Sequence, residues 1–121
     1  IQLIINCSID LPFLKHMKDN SKLLRVKIDD NFNTDIKKLM KVNNHIYSNY
    51  FNKDLGVLFY CYTGQQLSAS IISTLILEKT TIEIKDLIDS IKSKNKTLLI
   101  TNNLTEFLNK YNFIKKSYNN I

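Results

Sequence analysis

Residues 56–79 read GVLFYCYTGQQLSASIISTLILEK, and the order of residue types in this stretch decides the fold class. Residues 56–60 are an unbroken apolar run rich in β-formers, as a central strand covered on both faces requires. Cys61 follows at once, and then the loop residues Tyr62, Thr63, Gly64, Gln65 and Gln66. Beyond Leu67 and Ser68, the apolar residues Ile71, Ile72, Leu75 and Ile76 recur at helical spacing and mark a buried helix. A loop between a strand and a helix turns successive backbone N–H groups into one concavity, where the helix dipole adds partial positive charge. Such a place attracts anions, and the same field favours the thiolate of a cysteine at its base. Cys61 holds that position. The competing reading of a buried cysteine is plain packing.

The rest of the chain supplies the layers around this unit. Residues 3–8 (LIINCS) form a short apolar run bounded by polar residues, a buried strand with Cys7 as part of the core. Residues 23–28 (LLRVKI) alternate, predicting a second strand that ends in the turn formers Asp29, Asp30 and Asn31. A helix is predicted from Asp35 onward, carrying Ile36, Leu39, Met40, Asn43, Ile46, Tyr47 and Tyr50, with Thr34 or Asp35 as its cap. His45 falls on its polar side, where a solvated imidazole is expected rather than a ligand. Thr81 and Glu83 open another helix with Ile84, Leu87, Ile88 and Ile91, and Asn102 or Asn103 caps a last one with Leu104, Phe107, Leu108 and Tyr111. Early strands and late helices with one crossover predict an α/β sheet with helices on its faces. At 121 residues and 44% hydrophobic side chains, the chain has the material for one core, so residues 1–121 are read as a single domain.

Composition narrows the function classes. No apolar run approaches the roughly 18 to 20 residues of a membrane span. The opening IQLIINCSID has neither a basic leader nor a small-residue cleavage site, so a soluble, intracellular protein is expected, cytoplasmic or nuclear. The two cysteines, Cys7 and Cys61, lie far apart in sequence with no CxxC spacing and no companion histidines. They suggest neither a disulfide framework nor a metal site, and a reducing compartment fits them. The net charge of +6 would draw an acidic partner, yet the lysines are spread along the chain and Arg25 is the single arginine, the pattern of a solvated lysine-rich surface.

The stretch VLFYCYTGQQLSASIISTLIL resembles the signature of the dual-specificity phosphatases. In that family a strand ends in His-Cys, a five-residue loop with a glycine follows, and Arg-Ser opens a helix. Cys61, Gly64 and Ser68 match. The likeness extends along the chain: LIINCS is similar to the family's early strand, LLRVKIDDNFNTDI to the segment carrying its general acid, and the last two helices to its closing pair. The resemblance implies a cysteine-phosphatase-like fold, with a central, mostly parallel sheet flanked by helices. By the same comparison Cys61 is the nucleophile position, Asp30 the general-acid position with Asp29 beside it, and Ser68 the hydroxyl that assists departure of the thiolate. Family domains usually begin with a further strand and helix before the LIINCS equivalent. Either the chain is a fragment or its N-terminal part has been lost; if it has been lost, a sheet edge or apolar patch is expected to remain, which homodimerisation would cover.

Two departures fall on the chemistry. Leu67 replaces the arginine that grips phosphate oxygens and stabilises the transition state, and Tyr60 replaces the histidine that helps to lower the thiol pKa. The resemblance then implies a degenerate phosphate loop (Tyr62, Thr63, Gly64, Gln65, Gln66 and Leu67) and an inactive pseudophosphatase that binds a protein partner, phosphorylated or not, without a cofactor or metal. Two other readings stay open: a weak or specialised phosphatase that acts through Cys61 and Asp30 with a lysine in place of the arginine, and a phosphatase-like module that binds RNA.

Overall fold

The structure is a computed structural model that describes residues 1–62, 66–96 and 100–119. Among these residues, three four-residue strands form one parallel sheet: β1 (Leu3–Asn6), β2 (Lys22–Arg25) and β3 (Val57–Tyr60), in the order β2-β1-β3. Also among them, four α-helices flank it: α1 (Ile36–Asn49), α2 (Leu67–Lys79), α3 (Ile84–Lys94) and α4 (Asn102–Asn119). This is the expected α/β architecture. The strand assigned the central place is different, however. β1 is buried at all four positions and lies in the middle, whereas β3 is an edge strand among the described residues, with Leu58 exposed. An apolar run reports burial that some neighbour must provide, and here β3 has only β1 beside it.

Register explains how the sheet builds the site. Asn6 pairs with Arg25 on one side and with Tyr60 on the other, so these three side chains share one face at the C-terminal ends of the strands. One residue further on, Val26 donates its N–H to the Asn6 carbonyl at 2.9 Å and Cys7 donates to the Tyr60 carbonyl at 2.8 Å. The ladder thus continues past the strand ends. Val26, Cys7 and Cys61 turn to the opposite face and join the apolar core with Ile5, Ile28, Ile71 and Leu108.

The helices follow their sequence signals closely. Asp35 caps α1 by accepting the Lys38 N–H at 3.1 Å, while Thr34 donates to the Lys27 carbonyl instead. α1 buries Ile36, Leu39, Asn43 and Ile46, leaves Tyr47 exposed, and carries His45 on its outer side against Asn49. Leu104, Phe107, Leu108 and Tyr111 are the buried stripe of α4. Its cap is neither Asn102 nor Asn103, which lie within the helix: Thr101 Oγ1 accepts the Leu104 N–H at 3.2 Å. A threonine one residue upstream satisfies the first-turn donor equally well. Among the described residues no helix is long and apolar enough to cross a membrane.

Candidate functional site

Cys61 directly follows β3 and is 9% exposed, at the margin of the core. Its thiol donates to Ser68 Oγ at 3.4 Å, and Ser68 is buried in the first turn of α2. The strand end and the helix start are therefore drawn together as the residue order requires. Leu67 opens α2, half-buried and packed against the core. Gln66 stands at the cap position without a side-chain cap bond, and the first turn carries no acidic residue. Tyr62 is exposed at 73%. Thr63, Gly64 and Gln65, expected in the phosphate loop, lie outside the described residues.

Tyr60 occupies the position before the cysteine and faces away from it. Its hydroxyl accepts from Asn6 Nδ2 at 2.9 Å, and its ring meets Phe13 edge-on at 6.2 Å. Partial burial raises its pKa, opposed by the Arg25 charge and the Asn6 hydrogen bond. Asn6 Nδ2 also donates to the Leu11 carbonyl at 2.6 Å, and Asn6 Oδ1 accepts from Ser8 Oγ at 2.6 Å. Arg25 completes this network. Its guanidinium donates to Ser8 Oγ at 3.1 Å and to the Leu11 carbonyl at 2.7 Å, and lies 5.3 Å from the centre of the Phe13 ring. The chain's one guanidinium thus fastens the loop after β1. Sequence reasoning did not find this cluster, although Asn6, Arg25 and Tyr60 each end a strand and a parallel register aligns strand ends.

The acid candidates lie in the turn after β2. Asp29 organises it: Oδ1 accepts the backbone N–H groups of Asn31 at 2.9 Å and Asn33 at 3.0 Å, and Oδ2 accepts the Asn33 amide at 3.1 Å. These bonds, led by those from Asn33, hold its carboxyl below the ordinary range. Asp30 is exposed in the same turn. Phe32 adopts a left-handed φ of 59° and is nevertheless buried, stacking on Phe107 of α4 at 5.7 Å. For a bulky residue this backbone is strained, and burial of the ring offsets the cost. The turn that presents Asp30 is thereby pinned to α4. A cleft of about 710 Å³ is lined by Gln2, Ser21, Lys22, His45, Asn49 and Tyr50 at the opposite ends of the strands and takes no part in this site.

Residues 1–113 match the family described as dual specificity phosphatase, catalytic domain. The chain belongs to this family. Its fold is also that of solved members. Human DUSP28 superposes with a TM-score of 0.81 at 16% identity, over 98% of this chain and 81% of that one. A mouse putative dual specificity phosphatase, complexed with zinc tungstate, gives 0.80 at 18% identity, over 98% of this chain and 74% of that one. The human tyrosine phosphatase-like serine/threonine/tyrosine-interacting protein gives 0.76 at 17% identity, over 94% of this chain and 78% of that one. At these identities the likeness is one of fold. No curated protein sequence matches the chain.

Proposed function

We propose that this dual-specificity phosphatase domain is a pseudophosphatase, one that binds a protein partner through the phosphatase scaffold rather than hydrolysing phosphoesters. The reading rests chiefly on Leu67. An aliphatic side chain packed on the core at the start of α2 can neither neutralise a phosphoryl dianion nor hydrogen-bond to it. An arginine that supplies charge to phosphoryl transfer is worth on the order of 10³ to 10⁵ in rate in GTPases. The one arginine of this chain is committed to Ser8 and Leu11, which leaves that role unfilled by a guanidinium. A structurally similar protein carries the description phosphatase-like and interacting, which supports binding as a use of this architecture. The partner's phosphorylation and a cytoplasmic or nuclear setting belong to the same proposal.

The retained contact between Cys61 and Ser68 favours one competing reading, a slow phosphatase that draws its positive charge from lysine. Hydrolysis of an aryl phosphate by the purified domain, with Cys61→Ser as control, separates the two. The pseudophosphatase reading expects the two proteins to be indistinguishable. Turnover that disappears in Cys61→Ser would refute it.

A further inference from the structure

Helix α1 carries Lys37, Lys38 and Lys41 and no acidic residue, whereas on α3 Lys85 and Lys92 are interleaved with Asp86 and Asp89. Helical spacing places Lys37, Lys41, Asn44 and Tyr47 on one exposed stripe of α1, turned away from the buried Leu39, Asn43 and Ile46. Neighbouring helices extend that stripe at both ends. From α4 comes the exposed Tyr118, with Lys37 Nζ 5.8 Å from the centre of its ring. From α2 comes Lys79, whose Nζ lies 5.1 Å from the centre of the Tyr47 ring and donates to Asn44 Oδ1. Lysines that are scattered in the sequence thus gather on one face. Among the described residues none of Lys37, Lys41 and Lys79 is paired with a carboxylate. Their unneutralised ammonium groups set up a positive potential that a negatively charged partner complements.

We infer that this face of α1 docks an acidic, carboxylate-rich segment of a protein partner. The inference deepens the protein-binding reading by saying where the partner lies and what it carries. Charge complementarity selects an acid, and the tyrosines select peptide over single-stranded nucleic acid. Bases are held by stacking on open aromatic faces. Tyr47 and Tyr118 each already hold an ammonium group over the ring. Bidentate capture of phosphate is the strength of arginine, and the chain's one arginine is held by Ser8 and Leu11. The two cation–π contacts also fix the ammonium groups before a partner arrives, which lowers the ordering cost of docking. Lys37 and Lys41 stand one turn apart, about 6 Å along the axis. That rise matches carboxylates at every second residue of an extended peptide, about 6.6 Å apart. The face is remote from Cys61. Lys79 ends α2, and Ser68, which the Cys61 thiol contacts, lies 11 residues earlier (79 minus 68), roughly 16 Å along the helix.

The test titrates the folded protein into a fluorescein-labelled peptide of alternating glutamate and alanine and follows anisotropy at low and at physiological ionic strength. The expected result is binding that weakens with salt and is absent when glutamine replaces the glutamates. Replacing Lys37, Lys41 and Lys79 together by glutamine should weaken binding about 10-fold, and arginine at the same three positions should restore it. Lys85→Gln, Lys92→Gln and Lys94→Gln together remove the same charge from α3 and should change the affinity less than about 2-fold. Equal losses in the two glutamine triples would overturn the inference, because net charge alone would then attract the peptide. So would a failure of the peptide to bind. Tighter binding of oligothymidylate through the same three lysines would also overturn it and make the face a nucleic-acid surface. The aryl phosphate assay reads Cys61 and this titration reads α1, so the two readings fail separately: peptide binding beside Cys61-dependent turnover would leave a docking face on an active enzyme.

Discussion

The two ends of α2 are held in opposite ways. At its C-terminal half, Thr74 and Leu77 are buried, and Asn43 of α1 donates to Thr74 Oγ1 and to the Tyr111 hydroxyl of α4, each at 3.0 Å. Tyr111 in turn donates to Glu78 at 3.3 Å, and Lys115 caps the end of the helix on the Leu77 and Thr80 carbonyls. A lysine there also compensates the negative end of the helix dipole. At the N-terminal end, Gln66 offers no side-chain cap and Leu67 brings no charge, while Ser70 and Ser73 donate back to carbonyls of their own helix. Three helices are locked together at the end remote from Cys61. The end next to Cys61 is packed, with Ser68, Ser70 and Ile71 buried. Stability and ligand chemistry should accordingly separate under mutation.

The largest effect is expected at the locked end. Tyr111 heads the fully buried side chains in volume, and Tyr111→Ala should cost on the order of 3 to 5 kcal/mol, read as a fall in the urea midpoint. A loss under about 1 kcal/mol would show that the helices are held elsewhere. The next effect belongs to the other end. Leu67→Arg should strengthen binding of phosphate or tungstate by about 1.5 to 3 kcal/mol, roughly 10- to 100-fold, measured by calorimetry. An unchanged affinity would mean that position 67 is not what limits the loop, and the contrast between the two ends would lose its chemical half.

How much of this was legible beforehand follows the same division. Helices whose apolar residues recur at three and four were readable to within a few residues, because a 3.6-residue period leaves one stripe to bury, and Leu104, Phe107, Leu108 and Tyr111 are all buried as that period demands. The family signature found Cys61 and Ser68, which do touch. What escaped was information that only strand order and register carry. Residues 56–60 cannot announce whether their strand is central or at an edge, and nothing local in either segment says that Cys7 will neighbour Cys61. In the sequence Arg25 stands only as a lone charge, since its partners Ser8 and Leu11 come from a loop that β1 and β2 bring to it.

A smaller effect tests the polar lock without opening a cavity. Tyr111→Phe removes a donor to Glu78 and an acceptor for Asn43, and should cost about 1 kcal/mol at neutral pH. Its pH dependence is more telling. Burial raises the Tyr111 pKa above the ordinary value of about 10, so its contribution is complete below that pH and is lost as pH rises further, when only the unfolded chain ionises. The unmutated protein should therefore lose stability above about pH 10 more steeply than Tyr111→Phe. Parallel curves would show that the hydroxyl ionises freely in the folded state.

The smallest effect is expected at Asp29, which belongs to neither end of α2 and so serves as the control for both. Hydrogen bonds from Asn33 and Asn31 depress its pKa, so the folded carboxylate is favoured over the unfolded one. The sign is then opposite to that of Tyr111: the contribution is present above the ordinary carboxylate pKa of about 4 and lost as pH falls through the lower folded value. Urea midpoints between about pH 5 and 2 should decline slightly less in Asp29→Ala than in the unmutated protein, because solvent screens a group this exposed. Anion affinity at neutral pH should not change. If Asp29→Ala weakened tungstate binding, the turn after β2 would be coupled to the loop at Cys61. The site would then extend across the sheet rather than being confined to the first turn of α2.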